Sequence, residues 1–425
     1  MKYSKLVDLY EYLENTPARL AKVEKIGEFF REAEPEILEK VALLVQGKIF
    51  PSYSDNEIGI AEKMMIRVIV SSTGFSENEV VDTFKETGDL GLTVEKLMEN
   101  KKQTTLAIMQ LSIEKVFENL RKLASIEGKG TQDTKISLIK ELISHAKPKE
   151  AKYIVRTAVS QLRIGVAEGV MRDSIAGAFF SWDDMAGKKE VISIVEWAWF
   201  LRPDYSEIIK IAKDSGLDGL KNVSVEVGKP YHVLLADRAG DMVEAMEKFE
   251  RPEIEYKYDG ARICIHKRDD KYWFFTRRLE DITKQFPDLL EIVKRGIKSN
   301  DCIIEGEMIA IDTKTGRPSP FQMLSQRIKR KYDIGKVAKE IPVQVNVFDV
   351  VYNEGKQLFS ETLENRRKVL AGIVNEIPDK FQLAESIETN DIDKANKFYQ
   401  SALKSNHEGV IIKNLDATYQ PGRRV

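Results

Sequence analysis

The chain has 425 residues, too many for one ordinary hydrophobic core, and its 42% hydrophobic content is enough for two or three folded domains. Its 66 lysines and arginines nearly balance its 68 aspartates and glutamates, so nucleic-acid binding would have to use local patches rather than overall charge. The two cysteines, Cys264 and Cys302, lack CxxC spacing, which argues against a disulfide framework or zinc site and fits a reducing cytoplasm.

The first half of the chain predicts helices and no membrane segment. Apolar residues recur at spacings of three and four in LVDLYEYLE, ILEKVALLV, KISLIKELISHA and EAKYIVRTAVSQLRIGV, which is the helical period. The most hydrophobic window, VISIVEWAWFL, is too short to cross a membrane, and the start of the chain has no apolar run of signal-peptide length. We therefore predict an intracellular, cytoplasmic protein with an all-helical domain over residues 1–228.

The second half predicts a domain of strands and helices over residues 229–425. Short alternating runs rich in Val, Ile and aromatic residues are typical of strands, and they occur in ARICIHK, YWFFTRR, CIIEGEMIAID, PVQVNVFDVVY and GVIIK. The first two are predicted to form a hairpin around Asp269 and Asp270, and helices are expected near FPDLLEIVKRGI and ENRRKVLAGIV. The fold class is therefore multidomain, α followed by α+β.

The segment EYKYDGARICIHK places Lys257 on what is predicted to be a mostly buried strand. Period-two geometry puts Glu255, Lys257 and Asp259 on one face, with Gly260 ending the strand and Arg262 following at the turn. Desolvation would favour the neutral amine, which is the form that attacks an electrophile, although a single strand lysine is more often solvated. A lysine near carboxylates and arginines suits attack on a nucleotide α-phosphate, because carboxylates hold divalent metals and arginines neutralise phosphates.

Other candidates lie on the later strands, and the sequence leaves their roles open. Glu305 and Glu307 have equal parity, so strand geometry does not choose between them. Phe348 faces away from the valines at 343, 345 and 347, yet most strand phenylalanines are core residues. Arg277 and Arg278 are equally compatible with a solvated pair.

These motifs together resemble a known family. Lys257, Asp259, Gly260 and Arg262 match the K-x-D-G-x-R signature of covalent nucleotidyltransferases. TRRLEDITKQFPD, IIEGEMIAID, VNVFDVVYNEG and HEGVIIKNLDATYQPGRR follow in the order seen in ATP-dependent DNA ligases of the archaeal and eukaryotic replicative type. IEGKGTQDTKI and AKYIVRTAVSQLRIGVAEGV look like that family's DNA-binding domain. The resemblance implies a helical DNA-binding domain, then an adenylation (nucleotidyltransferase) domain with antiparallel sheets.

The resemblance also implies the chemistry of the first strand. Lys257 would be the nucleophile that attacks ATP and carries AMP covalently, with Mg²⁺ or another divalent cation as cofactor. Glu255 would lie by the adenine. Asp259 and Arg262 would help to place the nucleophile and the nicked strand. The reaction would seal nicks in duplex DNA during replication, repair and recombination.

Five further residues receive roles from the same resemblance. Arg277 would reach the nucleotide, and Glu307 would contact the ribose or the metal. Phe348 would stack on the adenine, an apolar and π contact that suits a flat base. Glu408 is similar to the family's metal-site carboxylate, and Arg424 to its late nucleotide-binding arginine.

The helical half supplies candidate DNA contacts. On a continuous helix through EAKYIVRTAVSQLRIGV, Lys152, Arg156 and Arg163 would fall within about 40° of one another, forming a basic stripe. A charge stripe is usually only a solvated face, but EGKGTQD adds Gly128 and Gly130, whose small size lets backbone amides approach phosphates. We predict that these residues bind duplex DNA, and that RIKRK, residues 327–331, touches the backbone.

Several expectations rest on weaker patterns. KKQTTLAIM faintly resembles a sliding-clamp peptide through Gln103 and Leu106, but the aromatic pair is missing, which favours an ordinary helix start. The chain stops at Val425, before the family's final lysine motif and OB-fold domain, so we expect a C-terminally truncated and impaired ligase. We also expect a monomer. The alternatives are an RNA ligase or capping-type nucleotidyltransferase, which shares the lysine chemistry, and a non-catalytic DNA-binding scaffold.

Overall fold

The computed structural model describes residues 1–54, 56–100, 110–126, 130–330 and 332–424, which form two compact units. The helical unit comprises Met1–Trp199 and Pro203–Val223. The sheet unit comprises Phe200–Arg202 and Ser224–Val425. Among the described residues, no helix combines the length and the apolar character that a membrane span requires. The functional division at residue 228 stays a prediction.

The helical unit is built from α-helices whose apolar faces meet in its interior. In α1, for example, Leu6, Leu9 and Leu13 are at most 2% exposed, as helical spacing requires. Side chains of Ser76, Asp89 and Ser112 accept hydrogen bonds from backbone N–H groups and so begin three of the helices. The helices are α1 Tyr3–Asn15, α2 Arg19–Glu32, α3 Leu38–Val45, α4 Glu62–Thr73, α5 Glu77–Thr87, α6 Leu90–Glu99, α7 Ile113–Ala124, α8 Gln132–His145, α9 Pro148–Ala158, α10 Glu168–Phe179, α11 Met185–Leu201 and α12 Tyr205–Lys221.

Helix α9 is buried along nearly its whole length and contacts α1, α6 and α8. A Cβ atom at Gly91 of α6 would lie 2.7 Å from the Lys152 carbonyl oxygen, so only glycine permits this approach of the two helices. The prediction of one helix through residue 166 is wrong, because α9 ends at Ala158. Positive φ angles at Ser160 and Arg163 then turn the chain away from the helix axis.

The sheet unit contains ten strands and six α-helices in its described part. Its strands are β1 Pro252–Lys257, β2 Ala261–Arg268, β3 Lys271–Thr276, β4 Asp301–Ile311, β5 Pro318–Ser319, β6 Val343–Asn353, β7 Lys356–Gln357, β8 Phe381–Leu383, β9 Ser386–Glu388 and β10 Gly409–Asn414. Its helices are α13 Met242–Glu247, α14 Pro287–Gly296, α15 Phe321–Ile328, α16 Ile334–Glu340, α17 Leu363–Ile373 and α18 Ile392–Lys404. The predicted hairpin is present, with Asp269 at a positive φ between β2 and β3.

These strands form two sheets. The smaller sheet has the order β10-β1-β9, and the larger has the order β3-β2-β4-β6-β7, with β5 on β4 and β8 on β6. Every pairing is antiparallel except β6 with β8. Gly260 lies between β1 of the smaller sheet and β2 of the larger sheet. A Cβ atom on Gly260 would be only 2.4 Å from the Met308 carbonyl oxygen of β4, so the backbone can pass this close to β4 only at a glycine. The predicted architecture, helical and then α+β with antiparallel sheets, is confirmed.

Candidate functional site

Lys257 ends strand β1, where it lies opposite Gly409 of β10. The Glu408 N–H donates to the Lys257 carbonyl oxygen at 2.9 Å, and the two side chains form an ion pair. Gly409 has a φ of 146°, a backbone conformation that residues other than glycine rarely adopt. This backbone geometry places the Glu408 carboxylate on the amine of Lys257.

The prediction that Lys257 is desolvated is wrong. β1 is buried from Pro252 to Glu255, but the Lys257 side chain is 47% exposed because it stands at the end of the strand. Its amine is in contact with the Glu408 carboxylate rather than with apolar side chains. Activation of this amine must therefore come from charges brought to it rather than from burial.

Glu255 is 2% exposed and is held by two cations. Lys413 Nζ donates to Glu255 Oε1 at 2.6 Å, and Arg367 pairs with Oε2 while also contacting Glu253 at 3.1 Å. Burial opposes the charge of Glu255, but Lys413 and Arg367 together hold the pKa of this carboxyl below its ordinary value. Sequence reasoning missed both cations, although Lys413 at the end of GVIIK could have been placed opposite Glu253 by strand register.

Phe348 lies at a β-bulge. In the β4–β6 pairing, Asp349 faces Glu305 and Val347 faces Gly306, which leaves Phe348 as the extra residue. The ring is half-buried, with Lys413 Nζ 4.5 Å and Arg262 Cζ 5.1 Å from its centroid. A flat apolar ring thus lies close to two cations, an arrangement that suits a planar ligand carrying phosphates.

The two glutamates that the sequence left open have different environments. Glu305 is fully buried and accepts hydrogen bonds from the Tyr231 and Tyr419 hydroxyls and from Arg262. Glu307 is partly exposed, and within the described residues it accepts no hydrogen bond. Burial raises the pKa of Glu307 to about 7, opposed by Arg262 and Lys257. The carboxylate of Glu305 is therefore fully used in holding the fold together, whereas the carboxylate of Glu307 can still bind a ligand.

The pKa of Glu307 gives the fold a specific pH dependence. Because this pKa lies above the usual 4.5, the group's stabilising contribution is present at low pH and is lost as the pH rises towards about 7. We expect Glu307→Gln, which cannot ionise, to raise the melting temperature at pH 8 but to change it little at pH 5. Thermal unfolding in metal-free buffer measures this difference, with Glu408→Gln as the exposed control. A shift of equal size at both pH values would contradict the assignment.

Arg262 and Asp259 lie around the same site. Arg262 is on β2, not at the predicted turn, and its Nη1 donates to the Leu234 carbonyl oxygen at 2.6 Å. Its Nη2 pairs with Glu305. Asp259 Oδ2 accepts a hydrogen bond from the Phe321 N–H at 3.4 Å. The structure thus brings six predicted side chains together, those of Lys257, Glu255, Arg262, Glu307, Phe348 and Glu408.

Two predicted nucleotide-binding arginines are not joined to this group by any contact within the described residues. Arg277 is exposed in the turn that follows β3. Arg424 is also exposed, and its backbone forms a β-bridge with Leu235. Nor do the described residues contain a group of three or more His, Cys, Asp or Glu side chains that could hold a metal ion. A cation at Glu307 or Glu408 would need phosphate oxygens or water as further ligands, which is how Mg²⁺ usually binds.

The predicted basic stripe of the helical unit is wrong as an exposed surface. Lys152 is 6% and Arg156 4% exposed, and both make ion pairs inside the unit. Arg163 is exposed but lies beyond the end of α9. Gly130 is also exposed, with a φ of 87°, while Gly128 is outside the described residues. The geometric argument for DNA binding therefore remains only for Arg163 and Gly130.

Of two other motif-like segments, one lies outside the described residues and the other is only partly exposed. Gln103 and Leu106, the residues that resemble a clamp peptide, lie outside the described part of the chain. In RIKRK, Arg327 is 1% exposed and pairs with Asp288, and its guanidinium lies 4.3 Å from the Phe286 ring centroid. Arg327 therefore belongs to the core, which corrects the prediction that the whole run touches DNA.

Comparison with known proteins adds independent information. The sequence matches two family models, described as DNA ligase N terminus over residues 2–176 and ATP dependent DNA ligase domain over residues 233–425. A DNA ligase of Nanoarchaeum equitans (strain Kin4-M) is 45% identical over 426 residues, covering 100% of this chain and 73% of that protein. A DNA ligase of Thermococcus onnurineus (strain NA1) is 38% identical, covering 100% of this chain and 74% of that protein.

The solved structure described as Pmar-Lig_Pre supports the fold alone. It is 15% identical, has a TM-score of 0.52, and the match covers 99% of this chain and 76% of that chain. The similarity over the whole chain shows that this protein belongs to the ATP-dependent DNA ligase family.

Proposed function

We propose that this protein seals nicks in duplex DNA through a covalent AMP on Lys257. The amine forms a bond to the α-phosphorus of ATP, and pyrophosphate leaves. AMP then passes to the 5′-phosphate of the nick, and the 3′-hydroxyl displaces AMP as the phosphodiester forms. The observation that carries the proposal is the position of Lys257, against Glu408 and in one site with Glu255, Phe348 and Glu307.

The surrounding side chains support nucleotide binding at this amine. Phe348 offers a flat ring for the adenine, and the bulge fixes it in β6. Glu255 is kept ionised by Lys413 and Arg367, so it can accept a hydrogen bond from the adenine amino group. Arg262, beside the ring, supplies positive charge for phosphates. We further propose that the exposed Arg277 and Arg424 contribute to nucleotide binding.

We propose Glu307 and Glu408 as the carboxylates that would hold Mg²⁺ or another divalent cation. When bound, such an ion neutralises phosphate charge during displacement at phosphorus. Glu408 keeps Lys257 Nζ at a fixed place before ATP arrives, because the two residues are joined through backbone and side chain. Loss of that ion pair would be the step that frees the amine for proton release and attack.

The helical unit is proposed as the DNA-binding domain, with 1–228 assigned to DNA and 229–425 to adenylation. Exposed Arg163 and Gly130 remain the candidate contacts, since exposed arginines and small loop residues suit phosphate binding. Sequence-independent backbone contacts are appropriate for an enzyme that must accept any nick. Action as a monomer in the cytoplasm, and binding of a sliding clamp, stay predictions.

Intact-mass measurement tests the proposal. After incubation with ATP and Mg²⁺, we expect the protein to gain the mass of one AMP, and added nicked duplex should discharge the adduct as AMP moves to the 5′-phosphate. GTP should give no adduct. A GTP adduct would favour a capping-type enzyme, and DNA binding without any adduct would favour a non-catalytic scaffold. Either result would overturn the proposal.

A further inference from the structure

One row of polar side chains crosses the larger sheet at the candidate site. Arg262 of β2 is paired in register with Glu307 of β4, Glu307 with Asn346 of β6, and Asn346 with Gln382 of β8. Residues directly opposite on neighbouring strands project from the same face, with their Cβ atoms about 5 Å apart. Glu307 thus stands between Arg262 and Asn346 on the face that carries the site.

The middle of this row has donors and an acceptor that do not pair. Asn346 is 0% exposed, and its Nδ2 has no hydrogen-bond partner. Arg262 Nε is also buried without a partner. Between them, the Glu307 carboxylate accepts no hydrogen bond within the described residues. Buried polar atoms are nearly always satisfied, so two unpaired donors beside an unpaired carboxylate need an explanation.

The rest of the Asn346 environment does not supply the missing acceptor. Its Oδ1 accepts a hydrogen bond from Gln344 Nε2 at 2.9 Å, which fixes the amide with Nδ2 as the remaining group. The next residue in the row, Gln382, has its Oε1 engaged by the Asp379 N–H at 3.3 Å. Glu307 is therefore the ionisable acceptor nearest in register to Asn346 Nδ2.

We propose that Asn346 is a positioning residue for Glu307, whose carboxylate it holds by a hydrogen bond from Nδ2 when the site is loaded with nucleotide. The inference rests on the proposed function, in which Glu307 contacts the ribose or a cation. A carboxylate drawn towards either ligand must adopt one rotamer, and a donor on the adjacent strand fixes that rotamer at little entropic cost. In the nucleotide-free protein the same donor is left unpaired, which costs stability.

A comparison of Asn346→Val with Asn346→Thr tests this role, because the two side chains differ by one hydroxyl donor. We expect Val to slow Lys257 adenylation about tenfold and Thr to restore part of the rate, as befits one hydrogen bond to a charged group. In a Glu307→Ala background, which has no acceptor for Asn346 Nδ2, Asn346→Val should change the rate less than about twofold, since the two residues act as a unit. Asn353→Val, which removes another amide with a buried unpaired atom at the far end of β6, is the matched control and should leave the rate unchanged.

Thermal unfolding without nucleotide separates positioning from a structural role. Val removes an unpaired buried donor together with the acceptor of Gln344 Nε2, and Gln344 is partly exposed and can bond to water instead, so we expect the melting temperature not to fall. A residue needed only for folding would give a fall. The inference is overturned by equal adenylation rates, by an undiminished effect in the Glu307→Ala background, or by a lower melting temperature. If the wild-type chain forms no adduct, the proposed function fails, whereas equal rates for wild type and Asn346→Val overturn this inference alone.

Discussion

Replacement of Lys257 by arginine is expected to abolish the covalent AMP adduct, with a loss of at least about a thousandfold in adenylation rate. Arginine keeps the positive charge and can still pair with Glu408, but its guanidinium does not lose a proton in proteins and so cannot act as a nucleophile. Intact-mass spectrometry after incubation with ATP and Mg²⁺ measures the effect.

The exposure of Lys257 makes this substitution a clean test. A side chain that is 47% exposed at the end of β1 packs little, so Lys257→Arg should leave the melting temperature unchanged. Lys368→Arg is the matched control, because Lys368 is an exposed lysine of the same unit that pairs with Glu364 at 3.0 Å. Persistence of the adduct in Lys257→Arg, or its loss in Lys368→Arg, would show that another lysine carries AMP.

Replacement of Arg156 by methionine is expected to destabilise the helical unit by about 3–5 kcal/mol. Arg156 Nε donates to both oxygens of Asp89 at 3.1 Å, and Nη1 donates to Glu14 at 2.9 Å. Its removal leaves Asp89, which is 6% exposed, without its cation. For a unit of this size, the loss corresponds to a fall of about 10 °C in melting temperature, measurable by calorimetry.

Arg163→Gln supplies the opposite case for the same experiment. Arg163 is exposed beyond α9, so its replacement should change stability by less than about 0.5 kcal/mol while weakening binding to a nicked duplex. Binding by Arg156→Met, measured well below its melting temperature, should match that of the wild type. If Arg156→Met kept its stability and lost DNA affinity, Arg156 would be an exposed DNA contact, as the basic stripe predicts, and not a buried ion-pair residue.

Lys152 and Arg156 of α9 show where local sequence pattern fails to predict exposure. Helical periodicity correctly places Lys152 and Arg156 on one face, but an exposed basic stripe and a buried ion-pair seam have the same spacing. The acidic partners of these two side chains are Glu11, Glu14 and Asp89, which are distant in sequence. They reach Lys152 and Arg156 only because α9 packs against α1 and α6. Whether a charged side chain is buried depends on the whole folded unit and is not determined by the neighbouring residues in the sequence.

The candidate site shows the same division. Alternation along β1 was enough to group Glu255 with Lys257. Alternation along β4 did not decide which of Glu305 and Glu307 belongs to the site, because both face the same side. The choice between the glutamates required Tyr231 and Tyr419, which reach Glu305 from opposite ends of the sheet unit's sequence. The bulge at Phe348 likewise depends on contacts between segments distant in sequence, because it arises from the register of β6 against β4.

By itself, the sequence determined the order of helical and α+β regions, the longer strands (β1, β2, β3, β4, β6 and β10) and the ligase motifs, because period and turn chemistry act over a few residues. Tertiary structure alone decided which charges are buried, that Lys257 is exposed against Glu408, and that Asn346 Nδ2 is left without a partner in register with Glu307. These depend on strand register and on the packing of segments distant in sequence, where the environment of a side chain, rather than its identity, sets its chemistry.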